Sequence, residues 1–261
     1  MNPLNIDPII FSIGPVSVRW YGLMYVVGFV IANFLLKKLV DRGFFKIEKE
    51  NIDSMITTML ICMFLGARFA YVFIYNWDYY SNHLSELLYV WQGGLSFHGA
   101  LAGLLFGGWY FSKKNNISWA QVMDATALAG APGLFFGRIG NFINGELYGR
   151  VTDSSFGMVF KTGGPYPRHP SQLYEGFAEG LLLTLILWFL LTKVKRHGVI
   201  ACSFVIGYGF FRYFIEFFRE ADQQLGYYFG GTTTMGQILC MIMIIVGFIA
   251  MFLNSKREDP I

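Results

Sequence analysis

The sequence predicts an all-α integral membrane protein with seven transmembrane helices. Two observations point there. Of the 261 residues, 54% are hydrophobic and only 14% are charged, against about 25% charged in a soluble domain. The hydrophobic residues also gather into seven runs, near 17–36, 54–75, 94–112, 119–140, 176–192, 199–218 and 235–253. About 20 apolar residues cross a bilayer as a helix. A backbone facing lipid must satisfy its own hydrogen bonds, so each run is expected to be helical.

The elements follow in order. Met1 to Val16 contains no Lys or Arg. A secretory signal would open on a basic stretch, so no cleaved signal is expected and the first run is a permanent span. Between the second and third spans, residues 76–93 are rich in aromatics (Asn76-Trp77-Asp78-Tyr79-Tyr80), which suits the membrane interface. The fourth run is the most interrupted, with Asp124, Pro132 and several glycines. Residues 141–175 form the longest loop. With Gly163-Gly164-Pro165 and Pro167 it reads as a cap rather than a span. The fifth run is short but very apolar. The whole chain, 1–261, reads as one polytopic membrane domain. Neither an internal repeat nor the inverted repeat of many transporters is visible.

Charge sets the orientation. Twelve basic residues fall after spans one, three and five and in the tail: Lys37, Lys38, Arg42, Lys46, Lys49, Lys113, Lys114, Lys193, Lys195, Arg196, Lys256 and Arg257. The opposite side holds Arg150, Lys161, Arg168 and Arg219. The positive-inside rule puts the N-terminus outside and the C-terminus in the cytoplasm. The net charge of +3 needs no nucleic acid to explain it, because anionic headgroups of the inner leaflet favour it. Cys62, Cys202 and Cys240 all fall in apolar runs. An odd number at membrane depth argues against a disulfide framework. No zinc-ligand spacing links Cys and His, so neither a metal nor another cofactor is expected.

Four arginines remain: Arg19, Arg68, Arg138 and Arg212. Arg19 is near enough to the surface to snorkel. The other three lie in the outer halves of their spans, where a buried cation costs roughly 3 kcal/mol on insertion scales. Together they suggest one anion-binding cavity open to the outside. Buried ion pairing, for example with Glu146 or Glu216, is the compatible structural alternative. Tyr208, Arg212 and Glu216 recur every four residues on one stripe of span six. Arg138 and Asn141 are three apart at the end of span four. Tyr21 and Tyr25 share a face of span one, Tyr25 as an ordinary interfacial aromatic. His98 is the only histidine in a span and has glycines beside it. It suits a general base near neutral pH; a neutral imidazole bonded to a backbone carbonyl is the plainer reading. The set offers fixed cations, amide and phenol donors and one possible base. It fits binding of a phosphate and departure of a phosphate leaving group. Ser96 beside His98 lacks the Gly-x-Ser-Gly elbow of an intramembrane protease.

The run Gly137-Arg138-Ile139-Gly140-Asn141-Phe142-Ile143-Asn144-Gly145-Glu146-Leu147-Tyr148-Gly149 resembles the signature of the bacterial prolipoprotein diacylglyceryl transferases. Further blocks agree: Trp20 to Tyr25, Gly94 to Gly99, Arg168 to Glu175 and Tyr208 to Glu216. The resemblance runs from Phe11-Ser12-Ile13-Gly14-Pro15 to Met235-Gly236-Gln237. It implies an enzyme of the bacterial cytoplasmic (inner) membrane, with its N-terminus and active site on the periplasmic side and a small periplasmic cap. The family transfers the diacylglyceryl group of phosphatidylglycerol to the lipobox cysteine thiol of a prolipoprotein and releases sn-glycerol-1-phosphate. The implied partners are phosphatidylglycerol, the prolipoprotein signal peptide and membrane lipids; the chain is expected to act as a monomer and without nucleic acid. Carried over by motif, the catalytic positions are His98, Arg138, Arg212, Tyr21 and Asn141. The substrate-binding positions are Arg138, Arg212, Glu146, Gly149, Tyr208 and Glu216, with Arg68 in a matching block. Glu146 and Glu216 are expected to fix the arginine forks, and Gly149 to permit a backbone conformation or an approach that a Cβ would block. From composition and periodicity alone, a transporter or lipid flippase with a buried anion site is the competing class. A non-catalytic lipoprotein-binding scaffold is a third.

Overall fold

In the computed structural model, residues 6–14, 16–220, 227–228 and 232–256 are described. Pro15 of the first motif block and Arg257 of the basic tail lie outside them, as does the start of the N-terminal stretch. Among the described residues the long helices are α1 (Trp20–Asp41), α2 (Asn51–Ala70), α4 (Phe97–Lys114), α5 (Trp119–Asn144), α8 (Val199–Ile215) and α9 (Met235–Ser255). A short α3 (Trp77–Tyr80) follows the end of α2. One further helical rod runs from α6 (Ser171–Glu175) through a π-helical stretch, Gly176–Leu182, into α7 (Leu183–Leu191). A second π stretch, Tyr71–Tyr75, extends α2. Helix therefore occupies every one of the seven runs read from the sequence.

Four of these helices are long and apolar enough to cross a membrane: Trp20–Asp41, Asn51–Tyr75, Ser171–Leu191 and Met235–Ser255. Val199–Ile215 is apolar but shorter. Glycines and polar residues dilute the apolar character of α4 and α5. Many large apolar side chains on the helices point outward, among them Val30, Leu65 and Phe252, each more than 60% exposed. That is expected of helices whose solvent is lipid. Two small antiparallel ribbons are additions that the helical reading omits: β1 (Ile9–Ile13) with β2 (Val16–Arg19), and β3 (Tyr227–Tyr228) with β4 (Thr233–Thr234).

The chain divides into two compact units, one comprising Met1–Leu35 with Thr126–Ile261 and the other Leu36–Ala125. In the second, α2 packs on α4 through a glycine seam. Gly99, Gly103 and Gly107 recur every four residues, and a Cβ on Gly103 would overlap the carbonyl of Cys62. Small residues at this spacing let membrane helices approach closely. Ser96 caps α4, accepting the Gly99 amide at 3.2 Å. In the first unit, Gly180 lies against the Phe135 backbone and Gly140 against the Tyr21 ring. Thr234 and Gln237 form a reciprocal capping box at the start of α9, satisfying two amides that a helix end otherwise leaves open.

Candidate functional site

The first unit gathers three arginines around buried carboxylates. Glu175, at the end of α6, is fully buried. Its Oε2 accepts from Arg212 Nη1 at 2.6 Å and Arg138 Nη2 at 2.8 Å, and its Oε1 from Arg219 Nη1 at 3.2 Å. Glu216 adds contacts to Arg212 at 3.4 Å and Arg219 at 3.3 Å. The capping Thr234 donates its hydroxyl to Glu216 Oε1 at 3.1 Å. Gly236 leaves the room that carboxylate occupies, since a Cβ there would lie 2.6 Å from Oε1. Glu179 is also fully buried, with Arg212 Nη1 at 3.7 Å and Arg138 Nη2 at 3.9 Å, and neither oxygen has a hydrogen bond. It sits on the π stretch Gly176–Leu182. Such wide turns are rare and often mark functional sites.

The signature run supplies the neighbouring polar groups. Arg138 Nη1 reaches Asn141 Oδ1 at 3.5 Å, and Glu146 Oε1 accepts from the amides of Asn141 and Asn144, both at 3.0 Å. Glu146 thus meets Arg138 through Asn141, while Glu175 takes the direct position against the arginines that was expected of Glu146. The turn bearing Glu146 holds Gly145 and Leu147 at φ of 65° and 58°. For leucine this left-handed conformation costs roughly 1–2 kcal/mol. The start of α6 secures it: Gln172 donates to Glu146 O at 2.7 Å and Ser171 to Leu147 O at 3.1 Å. Gly149 pairs with His169 (N to O, 2.8 Å), and a Cβ there would overlap Phe218 O. Its glycine is required by close approach. Tyr21 Oη lies 3.0 Å from Tyr25 Oη, which gives Tyr25 a polar partner. Tyr208 sits one turn before Arg212 and interacts electrostatically with it and with Glu179. Outside the helices, burial pushes the His169 imidazole below the ordinary histidine range.

His98 and Arg68 belong to the other unit. His98 Nδ1 lies 3.1 Å from Tyr75 Oη, a phenol rather than a backbone carbonyl. Tyr75 ends the π stretch of α2. Arg68 is buried and donates to four carbonyls: Leu87 at 2.7 Å, Glu86 at 2.8 Å, and Gly93 and Gly94 at 3.1 Å each. These bonds fold residues 84–94 back onto α2. The three span arginines therefore have different partners: Arg138 and Arg212 meet on Glu175, while Arg68 holds a loop through main-chain carbonyls.

Glu175, Glu179 and Arg219 are the residues that the sequence reading left unassigned. A span at 176–192 leaves Glu175 just outside it, and Arg219 reads as a loop charge. Their signal was present: Glu175 and Glu179 stand four apart at the start of an apolar helix, the spacing that puts both on one face. The arrangement presents guanidinium forks oriented by carboxylates, a geometry suited to gripping a phosphate and stabilising charge on a departing oxygen.

The sequence model of the prolipoprotein diacylglyceryl transferases matches residues 8–253. Curated relatives named phosphatidylglycerol–prolipoprotein diacylglyceryl transferase are similar along nearly the whole chain. The relative from Desulfotalea psychrophila is 46% identical over 97% of this chain and 95% of its own length. The one from Oleidesulfovibrio alaskensis is 44% identical over 97% and 94%, and the one from Ehrlichia canis 47% over 93% and 94%. By the family match and these near-complete alignments, the chain belongs to the prolipoprotein diacylglyceryl transferase family.

Proposed function

We propose that this transferase moves the diacylglyceryl group of phosphatidylglycerol to the lipobox cysteine thiol of prolipoproteins and releases sn-glycerol-1-phosphate. The observation that carries the reading is the 42–47% identity to relatives named for that donor and acceptor. In the reaction the cysteine sulfur forms a bond to the glyceryl carbon, and the carbon–oxygen bond to the phosphate breaks. Glycerol phosphate leaves with the electron pair, and the thiol proton passes to a base.

Arg138 and Arg212 hold the phosphate and stabilise the charge that grows on the leaving oxygen. The shared Glu175 supports their role by aiming both forks. Asn141 and Tyr21 orient the headgroup. Tyr208, Glu146, Glu216 and Gly149 shape its surroundings. His98 takes the thiol proton, because the thiolate is the nucleophile and a free thiol has a pKa near 8.5. Arg68 acts through the loop it holds.

The enzyme works as a monomeric, seven-span domain of the bacterial cytoplasmic membrane, with N-terminus and active site periplasmic and residues 141–175 as a cap. The basic loops support this orientation. The test is mass. Membranes, phosphatidylglycerol and a lipobox peptide are incubated, and the diacylglyceryl adduct of the peptide is expected. A transporter, flippase or scaffold yields no adduct, and its absence overturns the proposal.

A further inference from the structure

Arg138, Arg212 and Arg219 face Glu175, Glu179 and Glu216. With every group ionised the cluster sums to zero and holds no charge in reserve for an anion. A phosphodiester brings one negative charge. To receive it without excess charge in a low-dielectric site, one carboxylate must carry a proton.

The contacts single out which. Glu175 accepts from three guanidiniums within 3.2 Å. Glu216 has two guanidiniums and the Thr234 hydroxyl. Glu179 is fully buried, and neither oxygen accepts a hydrogen bond. Its ionised form leans on Arg212 and Arg138 at 3.7 and 3.9 Å, the forks assigned to the phosphate. The charged and titratable groups facing it are Arg138 from α5, Glu175 from its own rod, Tyr208 and Arg212 from α8, Arg219 just beyond α8 and Cys240 from α9.

We propose that Glu179 takes up one proton as the lipid phosphodiester enters, so that the headgroup binds together with that proton. This rests on the function proposed above. Glu179 is then a positioning residue acting through Arg138 and Arg212: its ionised form holds the empty site neutral, and its protonated form frees a single positive charge for the phosphate.

The test uses the full-length enzyme in micelles and a short-chain phosphatidylglycerol. Across the pH range where Glu179 ionises in the empty site, the wild-type Kd is expected to rise toward tenfold per pH unit. In Glu179→Gln, which is permanently neutral, Kd stays flat. Parallel slopes in the two proteins overturn the proposal. Should Glu179→Gln fail to fold, the wild type decides alone: an indicator dye in weak buffer reads close to one proton taken up per lipid bound, and no uptake overturns the proposal. The two readings fail separately. An enzyme that forms the peptide adduct without coupled proton uptake sinks this inference only. One that binds phosphatidylglycerol with proton uptake but makes no adduct sinks the transferase reading only.

Discussion

Replacing Glu175 by Gln removes the charge on which three arginines converge. The carboxylate is fully buried and receives guanidinium donors at 2.6, 2.8 and 3.2 Å. A hydrogen bond to a charged group contributes about 1.5–3 kcal/mol. The three share one acceptor, so their contributions do not add. Breaking a buried ion pair by removing one partner costs about 3–5 kcal/mol, and Glu175→Gln is expected in that range. Glu216→Gln provides the internal comparison. Its guanidinium contacts are longer, 3.3 and 3.4 Å, and the loss is expected near the cost of one unsatisfied buried group, about 1–3 kcal/mol. Denaturant unfolding in micelles, followed by the fluorescence of the six tryptophans, ranks the two. The reasoning is refuted if Glu175→Gln loses less stability than Glu216→Gln, or less than about 1 kcal/mol.

Arg212→Ala is expected to insert and fold yet lower turnover at least 10²–10³-fold, about 3–4 kcal/mol of lost charge stabilisation; wild-type rates in a purified phosphatidylglycerol assay discard its role. His98→Gln should slow the reaction and alter its pH profile, while an unchanged rate and profile assign the thiol proton to another acceptor. Gly103→Ala forces a Cβ onto the Cys62 carbonyl and should destabilise by about 1–3 kcal/mol, read as a lower unfolding midpoint. His169 is lowered by burial, so it binds fewer protons folded than unfolded. Its contribution is complete above the unfolded value of about 6.5 and is lost as pH falls through the folded one; the wild type should lose more stability between pH 7.5 and 5 than His169→Gln.

Apolar run length is a direct readout of helices in lipid, and for that reason the long helices among the described residues were legible in the sequence, while the short α3 was not. The ends were less so. Helix α1 starts at Trp20 because Val16–Arg19 pairs as a strand with Ile9–Ile13, and short ribbons leave little trace in hydropathy. The rod from Ser171 starts before its apolar run does, which hid Glu175. The stripe Tyr208, Arg212 and Glu216 was readable because helical spacing alone fixes it. The partners of Arg68 were not, since its four acceptors are main-chain carbonyls, and carbonyls have no letter in a sequence. Glu175 joins Arg138, Arg212 and Arg219 across long stretches of chain, a convergence that only tertiary packing creates.

One oxygen ties the charged cluster to the start of α9. The Thr234 Oγ1 receives the Gln237 amide at 3.2 Å while directing its own proton to Glu216. A shift of that carboxylate, or the loss of its charge, is expected to turn the hydroxyl and loosen the opening turn of α9. Deuterium uptake at the Gln237 amide is therefore expected to report engagement of the cluster from the opening turn of α9.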